Sequence, residues 1–171
     1  MRLFFALWPD PATQNAWHHD LAPFLDSFGG HRVPAANLHL TLAFLGELPG
    51  HRMNDLLRLG DDLPTDAITL RFDRIESWKN ARVACLRPAE TQAALERLAG
   101  QLATGLRMAG IGLEARHFRP HVTLARQATV PAAGLPVWPV VEWQVPAIAL
   151  VRSRLLPAGS EYAVLQEWPL G

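Results

Sequence analysis

The chain of 171 residues contains a single cysteine, Cys85, and this scarcity excludes two classes of small protein. One thiol forms no intrachain disulfide, and a cysteine-rich zinc site needs several thiolates. The neighbours of Cys85 are apolar, and no nucleophile signature surrounds it. We therefore expect Cys85 to be a small buried residue of a strand, with no role as a catalytic thiol.

An excess of charge of one sign is also missing. The chain has 16 basic and 16 acidic residues, Lys79 being the only lysine, so its formal net charge is zero. Proteins that bind long nucleic acids through a broad basic surface carry a positive excess. Any contact with nucleic acid is therefore expected to be local, in a pocket, where arginine supplies planar pairs of donors to phosphate.

No long hydrophobic run is present either. The apolar segment at residues 3–8 is too short for a signal peptide, and no window approaches the length of a membrane span. We expect a cytoplasmic protein that does not bind membranes. Hydrophobic residues still make up 49% of the chain and charged residues 19%, which excludes disorder and permits a sizeable core.

Hydrophobic periodicity predicts the order β-α-β-α-β-β-α-β-β-β within one domain. Strands are predicted at residues 2–8, 38–45, 68–78, 82–87, 121–126, 143–155 and 161–168, and helices at 11–28, at 49–63, and from Pro88 to Gly110. Pro23 is expected to kink or shorten the first helix. Residues 127–139, rich in Pro, Ala and Gly, are expected to form a mobile loop. Hairpins mixed with helices favour the α+β class.

Two of the predicted strands carry almost the same hexapeptide. His39-Leu-Thr-Leu-Ala-Phe recurs 82 residues later as His121-Val-Thr-Leu-Ala-Arg, with four of six positions identical. Residues i and i+2 of a strand project from the same face. Thr41 is therefore expected beside His39, and Thr123 beside His121. Each half of the chain offers one imidazole and one hydroxyl that point in one direction.

Two imidazoles on either side of one phosphorus atom suit the in-line cleavage of a phosphodiester. One takes a proton from the attacking oxygen, and the other gives a proton to the leaving oxygen. Imidazole suits both roles because its ordinary pKa is about 6.5. The two hydroxyls can donate hydrogen bonds to the non-bridging oxygens. This scheme requires no metal, so we expect no cofactor. The spacing of the motifs does not distinguish the acid from the base.

The extended motifs, at residues 39–46 and 119–126, resemble those of the two-histidine (2H) phosphoesterase superfamily. Within it, the resemblance is to the RNA 2′,3′-cyclic phosphodiesterases, also named 2′-5′ RNA ligases. The opening Arg2-Leu-Phe-Phe-Ala-Leu is similar to the first strand of that family. The resemblance implies an α+β, bilobal fold over residues 1–171. Its pseudo-two-fold duplicated lobes would consist of mostly antiparallel sheet, with helices outside and a central cleft.

The resemblance also implies metal-independent hydrolysis of 2′,3′-cyclic phosphate ends of RNA or nucleotides to 2′-phosphates, together with reversible 2′-5′ RNA ligation by the same groups. By this analogy His39 protonates the leaving 3′ oxygen and His121 activates water. Thr41 and Thr123 would hold phosphate oxygens. The implied partner is an RNA or nucleotide with a cyclic phosphate end, and we expect a monomer.

A phosphate-binding arginine is expected near the second motif. Arg126 matches the family position, but its odd offset from His121 places it on the opposite face of a regular strand. It reaches the cleft only if the strand ends or bulges near Ala125. Arg119 has the correct parity, and we favour Arg126 of the two. Phe44 occupies the equivalent position in the first motif, where an aromatic ring would stack on a base. The apolar strand instead predicts a core residue there.

Two alternative functions stay open at this point. One is a non-catalytic protein that binds RNA ends or nucleotides, although binding alone does not call for two titratable groups. The other is a zinc hydrolase using His39, His121 and His117, which lacks further ligands at the usual spacing. The remaining histidines are expected at the surface or in structural roles, namely His18, His19, His31, His51 and His117. The tryptophans are expected mostly in the core, namely Trp8, Trp17, Trp78, Trp138, Trp143 and Trp168.

Overall fold

The computed structural model describes residues 1–88, 90, 92–113, 117–131, 134, 140–157 and 159–171. The strands are β1 (Arg2–Leu7), β2 (His31–Arg32), β3 (Leu40–Glu47), β4 (Thr69–Trp78), β5 (Val83–Pro88), β6 (Val122–Arg126), β7 (Val141–Gln144), β8 (Ala147–Leu156) and β9 (Gly159–Pro169). The α-helices are α1 (Pro11–Asp20), α2 (Ala22–Leu25), α3 (Met53–Asp61) and α4 (Ala93–Met108). Part of the loop predicted at residues 127–139 lies outside the described residues.

The strands form one sheet in the order β7-β4-β5-β6-β3-β1-β8-β9, and β2 pairs with the end of β6. All of these pairings are antiparallel. The order is symmetric about its centre, because β3 and β6, which follow the two histidines, each continue outwards into three further strands. The predicted α+β class with a mostly antiparallel, duplicated sheet is confirmed.

The described helices pack on one face of the sheet. Their buried residues join the inward side of β1 in a single hydrophobic core, and examples are Trp17, Leu25, Leu56 and Leu98. The other face carries a smaller apolar cluster of Phe4, Ala6, Ala149 and Val151. We name this second face the open face. Among the described helices, none is long and apolar enough to cross a membrane.

The first helix begins where the sequence indicates, but the segment predicted at residues 11–28 is divided into α1, α2 and a 3-10 turn. The Asp10 carboxylate accepts hydrogen bonds from the backbone N–H of Thr13 at 2.9 Å and from its hydroxyl at 2.8 Å, as a helix N-cap does. Pro11 follows at the first helical position, where its missing N–H costs nothing. Helix α1 ends at Asp20, and Pro23 falls in the first turn of α2. The interruption predicted at Pro23 is confirmed.

Two predicted elements are wrong in their extent. Residues 143–155 are predicted as one strand, but β7 pairs with β4 while β8 pairs with β1, in the other half of the sheet. Pro146 separates the two strands because it has no N–H for a strand pairing and restricts the residue before it. Pro88 ends β5 and does not begin a helix, and α4 begins only at Ala93.

Candidate active site

The two histidines meet where the central strands touch. β3 and β6 pair through the leucine and the valine that directly follow the two histidines. Those two residues are fully buried in the core, so the residues on either side of them point to the open face. Continuing the antiparallel register by one residue places His39 opposite Thr123 and His121 opposite Thr41. The structure therefore brings these four predicted residues together.

The same backbone contact orients both imidazoles. His39 Nδ1 lies 2.7 Å from the carbonyl oxygen of Asn37, and His121 Nδ1 lies 2.7 Å from the carbonyl oxygen of Arg119. A carbonyl oxygen only accepts, so Nδ1 carries the proton in each ring. Nε2 is therefore the nitrogen left for proton transfer in both. In the first half, His39 Nε2 lies 3.1 Å from the hydroxyl oxygen of Thr41.

A β-bulge turns Arg126 to the open face. In the pairing of β5 with β6, Cys85 lies opposite Thr123 and Val83 lies opposite Arg126. Cys85 and Val83 are two residues apart on one strand and share a face, so Thr123 and Arg126 also share a face. Leu124 is the extra residue that makes this possible. The bulge that Arg126 needs in order to reach the site is therefore present.

β3 has the same irregularity at the equivalent position. Thr41 lies opposite Ala6 and Phe44 lies opposite Phe4, with one extra residue between them. Phe44 therefore points to the open face, where it is 40% exposed and the guanidinium of Arg2 lies 4.8 Å from its ring centroid. The expectation of a core residue at Phe44 is wrong, because it assumed a regular strand.

Aromatic rings enclose His39. The Trp8 ring stacks on the imidazole with centroids 5.2 Å apart, and the Phe4 ring lies at 5.0 Å. Tyr162, from the distant strand β9, presents its ring edge-on at 5.2 Å. Trp8 directly follows the end of β1, so the chain of β1 and the outer strand β9 together supply this enclosure. The result is an imidazole that is half-buried among apolar surfaces.

A tryptophan ring joined to a cluster of charged side chains flanks His121 instead. The Trp78 ring centroid lies 4.6 Å from that of the imidazole, and Trp78 Nε1 donates a hydrogen bond to the Glu76 carboxylate at 2.8 Å. Arg87 Nη1 lies 2.9 Å from both oxygens of the same carboxylate, and Arg119 Nη2 lies 3.6 Å from one of them. Burial acts to raise the pKa of Glu76, but the hydrogen bonds from Trp78 and Arg87 lower it overall. Glu76 is therefore ionised, and its carboxylate holds Trp78, Arg87 and Arg119 together in one cluster.

Both imidazoles lose a proton more readily than free histidine does. Burial lowers the pKa of His39 to about 4, and the charges of Arg126 and His121 act in the same direction. Burial also lowers the pKa of His121, with Arg87, Arg119 and Arg126 adding to the effect. The positive charge of Arg126, on the same face of the sheet, disfavours the protonated form of both imidazoles. Among the described residues no carboxylate pairs with Arg126, which leaves its donors available to an anion.

Several residues of the site were missed from the sequence. Trp17, Trp143 and Trp168 are buried as predicted, whereas Trp8 and Trp78 flank the histidines. The sequence motifs do not identify Glu76 or Arg87 as residues of the site. The hairpin predicted between residues 68–78 and 82–87 could have identified them, because it places alternate residues of both strands on one face. Trp138 lies outside the described residues.

The other predicted residues are accounted for more simply. Cys85 is fully buried, and its thiol pKa is raised to about 12, mainly by burial, so the prediction of an inert core cysteine is confirmed. His117, the third ligand of the alternative zinc site, is exposed. Among the described residues no group of three or more His, Cys, Asp or Glu side chains is placed to hold a metal ion. The surface placement of His19, His31 and His51 is confirmed.

Comparison with known proteins identifies the family of this chain. Residues 9–155 match the family model of the 2′-5′ RNA ligase superfamily. The chain is 32% identical to the RNA 2′,3′-cyclic phosphodiesterase of Escherichia coli over 99% of this chain and 96% of the relative. It is 34% identical to a protein of the same name from Thermus thermophilus, over 99% of this chain and 90% of that relative. The crystal structure of E. coli LigT complexed with 3′-AMP has a TM-score of 0.88 at 30% identity and covers 99% of this chain and 97% of that one. This chain therefore belongs to the 2′-5′ RNA ligase superfamily.

Proposed function

We propose that this protein is an enzyme that hydrolyses 2′,3′-cyclic phosphate ends of RNA or nucleotides to 2′-phosphates, with two histidines as acid and base. Both relatives above are named RNA 2′,3′-cyclic phosphodiesterases. The observation that carries the proposal is the matching anchorage of His39 and His121, each through Nδ1 to a carbonyl two residues earlier. Nε2 is thereby the nitrogen left for proton transfer in both rings, on the face of the sheet that also carries Arg126. Neither folding nor simple binding requires this duplicated arrangement.

The reaction uses both imidazoles in opposite protonation states. His121 Nε2 takes a proton from the water that attacks phosphorus, and His39 Nε2 gives its proton to the 3′ oxygen as that P–O bond breaks. The phosphate stays on the 2′ oxygen. After the step His121 is charged and His39 is neutral, and exchange with solvent restores the starting state. The assignment of acid and base follows the family resemblance.

The bound phosphate adjusts the site for this chemistry. In the free protein both imidazoles have lowered pKa values, so at neutral pH both are mostly neutral. An anion between them raises both pKa values, because an opposite charge favours the imidazolium. Thr41, Thr123 and Arg126 would donate hydrogen bonds to the non-bridging oxygens, where negative charge builds up as water attacks. Attack on the cyclic phosphorus by a ribose 5′-hydroxyl in place of water, with the same loss of the 3′ oxygen, would form a 2′-5′ linkage.

Residues 1–171 are proposed to act as one bilobal domain. A monomeric state and a cytoplasmic location stay predictions from the sequence. Binding of RNA or nucleotides is in keeping with the related structure that holds 3′-AMP.

Incubation of the EDTA-treated protein with nucleoside 2′,3′-cyclic phosphates tests the proposal. We expect chelator-insensitive hydrolysis and a 2′-phosphate product by phosphorus NMR. The exposed His51 is the matched control, and His51→Ala should be as active as the wild type. Binding without turnover would instead support the non-catalytic alternative. Activity lost in EDTA and restored by zinc would support metal-hydroxide chemistry. A 3′-phosphate product would contradict the proposed leaving oxygen.

A further inference from the structure

We propose that Arg119, lying on Trp78 and paired with Glu76, forms a second phosphate site. This site would recognise the phosphodiester that precedes the cyclic end, so that the preferred substrate is the end of an RNA chain and not a free cyclic mononucleotide. The inference rests on the proposed function and deepens it, because it names the substrate class of the same site.

Arg119 is fixed to the catalytic centre through both its backbone and its side chain. Its carbonyl oxygen accepts the hydrogen bond from His121 Nδ1 at 2.7 Å. Its guanidinium carbon lies 4.5 Å from the ring centroid of Trp78, and that ring lies 4.6 Å from the imidazole of His121. The guanidinium therefore contacts the same aromatic ring that flanks His121, next to the catalytic centre. We assign it to the neighbouring phosphate of the same strand because Arg126 is already assigned to the cyclic phosphate.

The donors of Arg119 are largely unused. Its contact with Glu76 is a single ion pair at 3.6 Å, to an oxygen that already accepts from Trp78 and Arg87. Its side chain is 56% exposed. A guanidinium has five N–H donors, so several remain directed to solvent. Arg87 differs, because it is 19% exposed and bonds both Glu76 oxygens and the carbonyl of Pro120. Arg87 supports the cluster, and Arg119 is the residue of the pair that a ligand can reach.

The charges of the cluster exceed what a cyclic mononucleotide requires. The charges of three arginines, Arg87, Arg119 and Arg126, are offset by the single carboxylate of Glu76, which leaves an excess of two positive charges near His121. A 2′,3′-cyclic phosphate carries one negative charge, which the positive charge of Arg126 balances. An RNA end adds a second negative charge at the phosphodiester on its 5′ side. Arg119 supplies the complementary charge, and arginine favours phosphate through paired hydrogen bonds as well as charge.

Three substrates separate the contribution of the second phosphate from that of a second base. They are adenosine 2′,3′-cyclic phosphate, the same compound carrying a 5′-phosphate, and the dinucleotide ApA with a 2′,3′-cyclic phosphate end. The measured quantity is the kcat/KM of each longer substrate divided by that of the simple cyclic nucleotide, for one enzyme at one pH. This ratio cancels any change that a variant causes in the pKa of His121. For the wild type we expect ratios of about ten or more, the usual size of a charged hydrogen bond.

Arg119→Gln is expected to bring both ratios close to one. Arg119→Lys keeps the charge but loses the paired donors, so its ratios should lie between those of the wild type and of Arg119→Gln. The lysine variant also keeps the test decisive if the glutamine variant fails to fold. Arg97 on α4 is exposed and lies outside the site, and Arg97→Gln should retain the wild-type ratios.

Wild-type ratios near one, or unchanged ratios in Arg119→Gln, would overturn the second phosphate site while hydrolysis of the simple cyclic nucleotide still supports the proposed function. A gain with the dinucleotide but none with the 5′-phosphorylated compound would assign the preference to the second base, and would also overturn the site. Absence of hydrolysis of all three would overturn the proposed function, and this inference with it.

Discussion

His39 and His121 are the same residue in the same backbone setting, yet their side chains pack against different chemistry. Aromatic rings enclose His39, whereas His121 lies beside an ionised cluster built on Glu76. Burial is the main cause of the lowered pKa in both cases. The two histidines therefore have the same backbone contact but different side-chain surroundings. A division into acid and base requires such a difference in surroundings.

The lowered pKa values predict where the pH optimum lies. kcat/KM reports the free protein, and the productive form has one imidazole charged and the other neutral. The maximum therefore falls midway between the two pKa values, which both lie below the ordinary value of about 6.5. We expect a bell-shaped kcat/KM profile with its maximum below about pH 6.5, and a kcat maximum at higher pH because the bound phosphate raises both pKa values.

Steady-state kinetics on adenosine 2′,3′-cyclic phosphate between about pH 4 and pH 9, in EDTA, measures both profiles. A single rise to a plateau, or a kcat/KM maximum above neutral pH, would be inconsistent with two buried imidazoles acting together.

The threonines are expected to act on the reaction and not on folding. Thr41→Val or Thr123→Val removes a hydroxyl donor to the phosphate and keeps the β-branched shape that suits a strand. We expect kcat/KM to fall about 10–100-fold, which corresponds to about 1.5–3 kcal/mol for a hydrogen bond to a charged group. The melting temperature should change little. Thr69 in β4 is exposed and provides the matched control. A large drop in melting temperature with full activity would make these threonines structural.

At the level of elements, the site depends on one extra residue in each motif strand. Regular alternation places Phe44 and Arg126 on the core side, and the bulges return both to the open face. The sequence indicates that Arg126 reaches the site only if the strand bulges, but it does not indicate that the bulge forms. Leu124 is an ordinary apolar residue, and the bulge is created by pairing with β5, which is distant in sequence.

The bulge in β6 predicts that Arg126 binds the reacting phosphate. Arg126→Ala should raise KM about tenfold or more, and kcat should change less, because the lost contact is made in the ground state as well as in the transition state. Arg126→Lys should raise KM by a smaller factor, since it keeps the charge and loses the forked geometry. Arg97→Ala, on the helix-covered side, serves as the control. An unchanged KM in Arg126→Ala would mean that the bulge does not direct this side chain to the phosphate.

Local signals predicted most elements, and non-local pairing explains the errors. The cap at Asp10 and the interruption at Pro23 are properties of neighbouring residues, so the sequence predicts them. The assignment of β7 and β8 to different halves of the sheet depends on which distant strands they join. Periodicity gives the two segments a similar appearance, and only Pro146 hints at the break.

At the scale of the whole molecule, the duplication seen in two hexapeptides extends to the sheet order. Apart from the short β2, which pairs with β6, the strands β7, β4, β5 and β6 lie on one side of the central junction and β3, β1, β8 and β9 on the other. The sequence predicted that two histidines and two threonines would face each other. It did not predict which side chains surround each histidine. The rings of Trp8 and Tyr162 around His39, for example, come from opposite ends of the chain.

The zero net charge predicts that the protein contacts only the nucleotides next to the reacting phosphate. An RNA of ten nucleotides with a cyclic phosphate end should be hydrolysed with a kcat/KM within about twofold of that of the dinucleotide. The slope of log kcat/KM against log salt concentration should be no steeper than about −2, as expected for one or two phosphate contacts on a single strand. Kinetics at several salt concentrations measure both. A steep slope, or a rate that grows with chain length, would indicate a basic surface beyond the site.

The most direct test of the two-histidine account is the set of kcat/KM values for His39→Ala, His121→Ala and the double variant on adenosine 2′,3′-cyclic phosphate in EDTA. Each single variant should lose about 10²–10⁴-fold, the usual contribution of a general acid or base. The double variant should lose little more than the worse single variant, because the two groups act as a unit. A single variant with the wild-type rate, or a double variant whose loss is the product of the two single losses, would contradict the account.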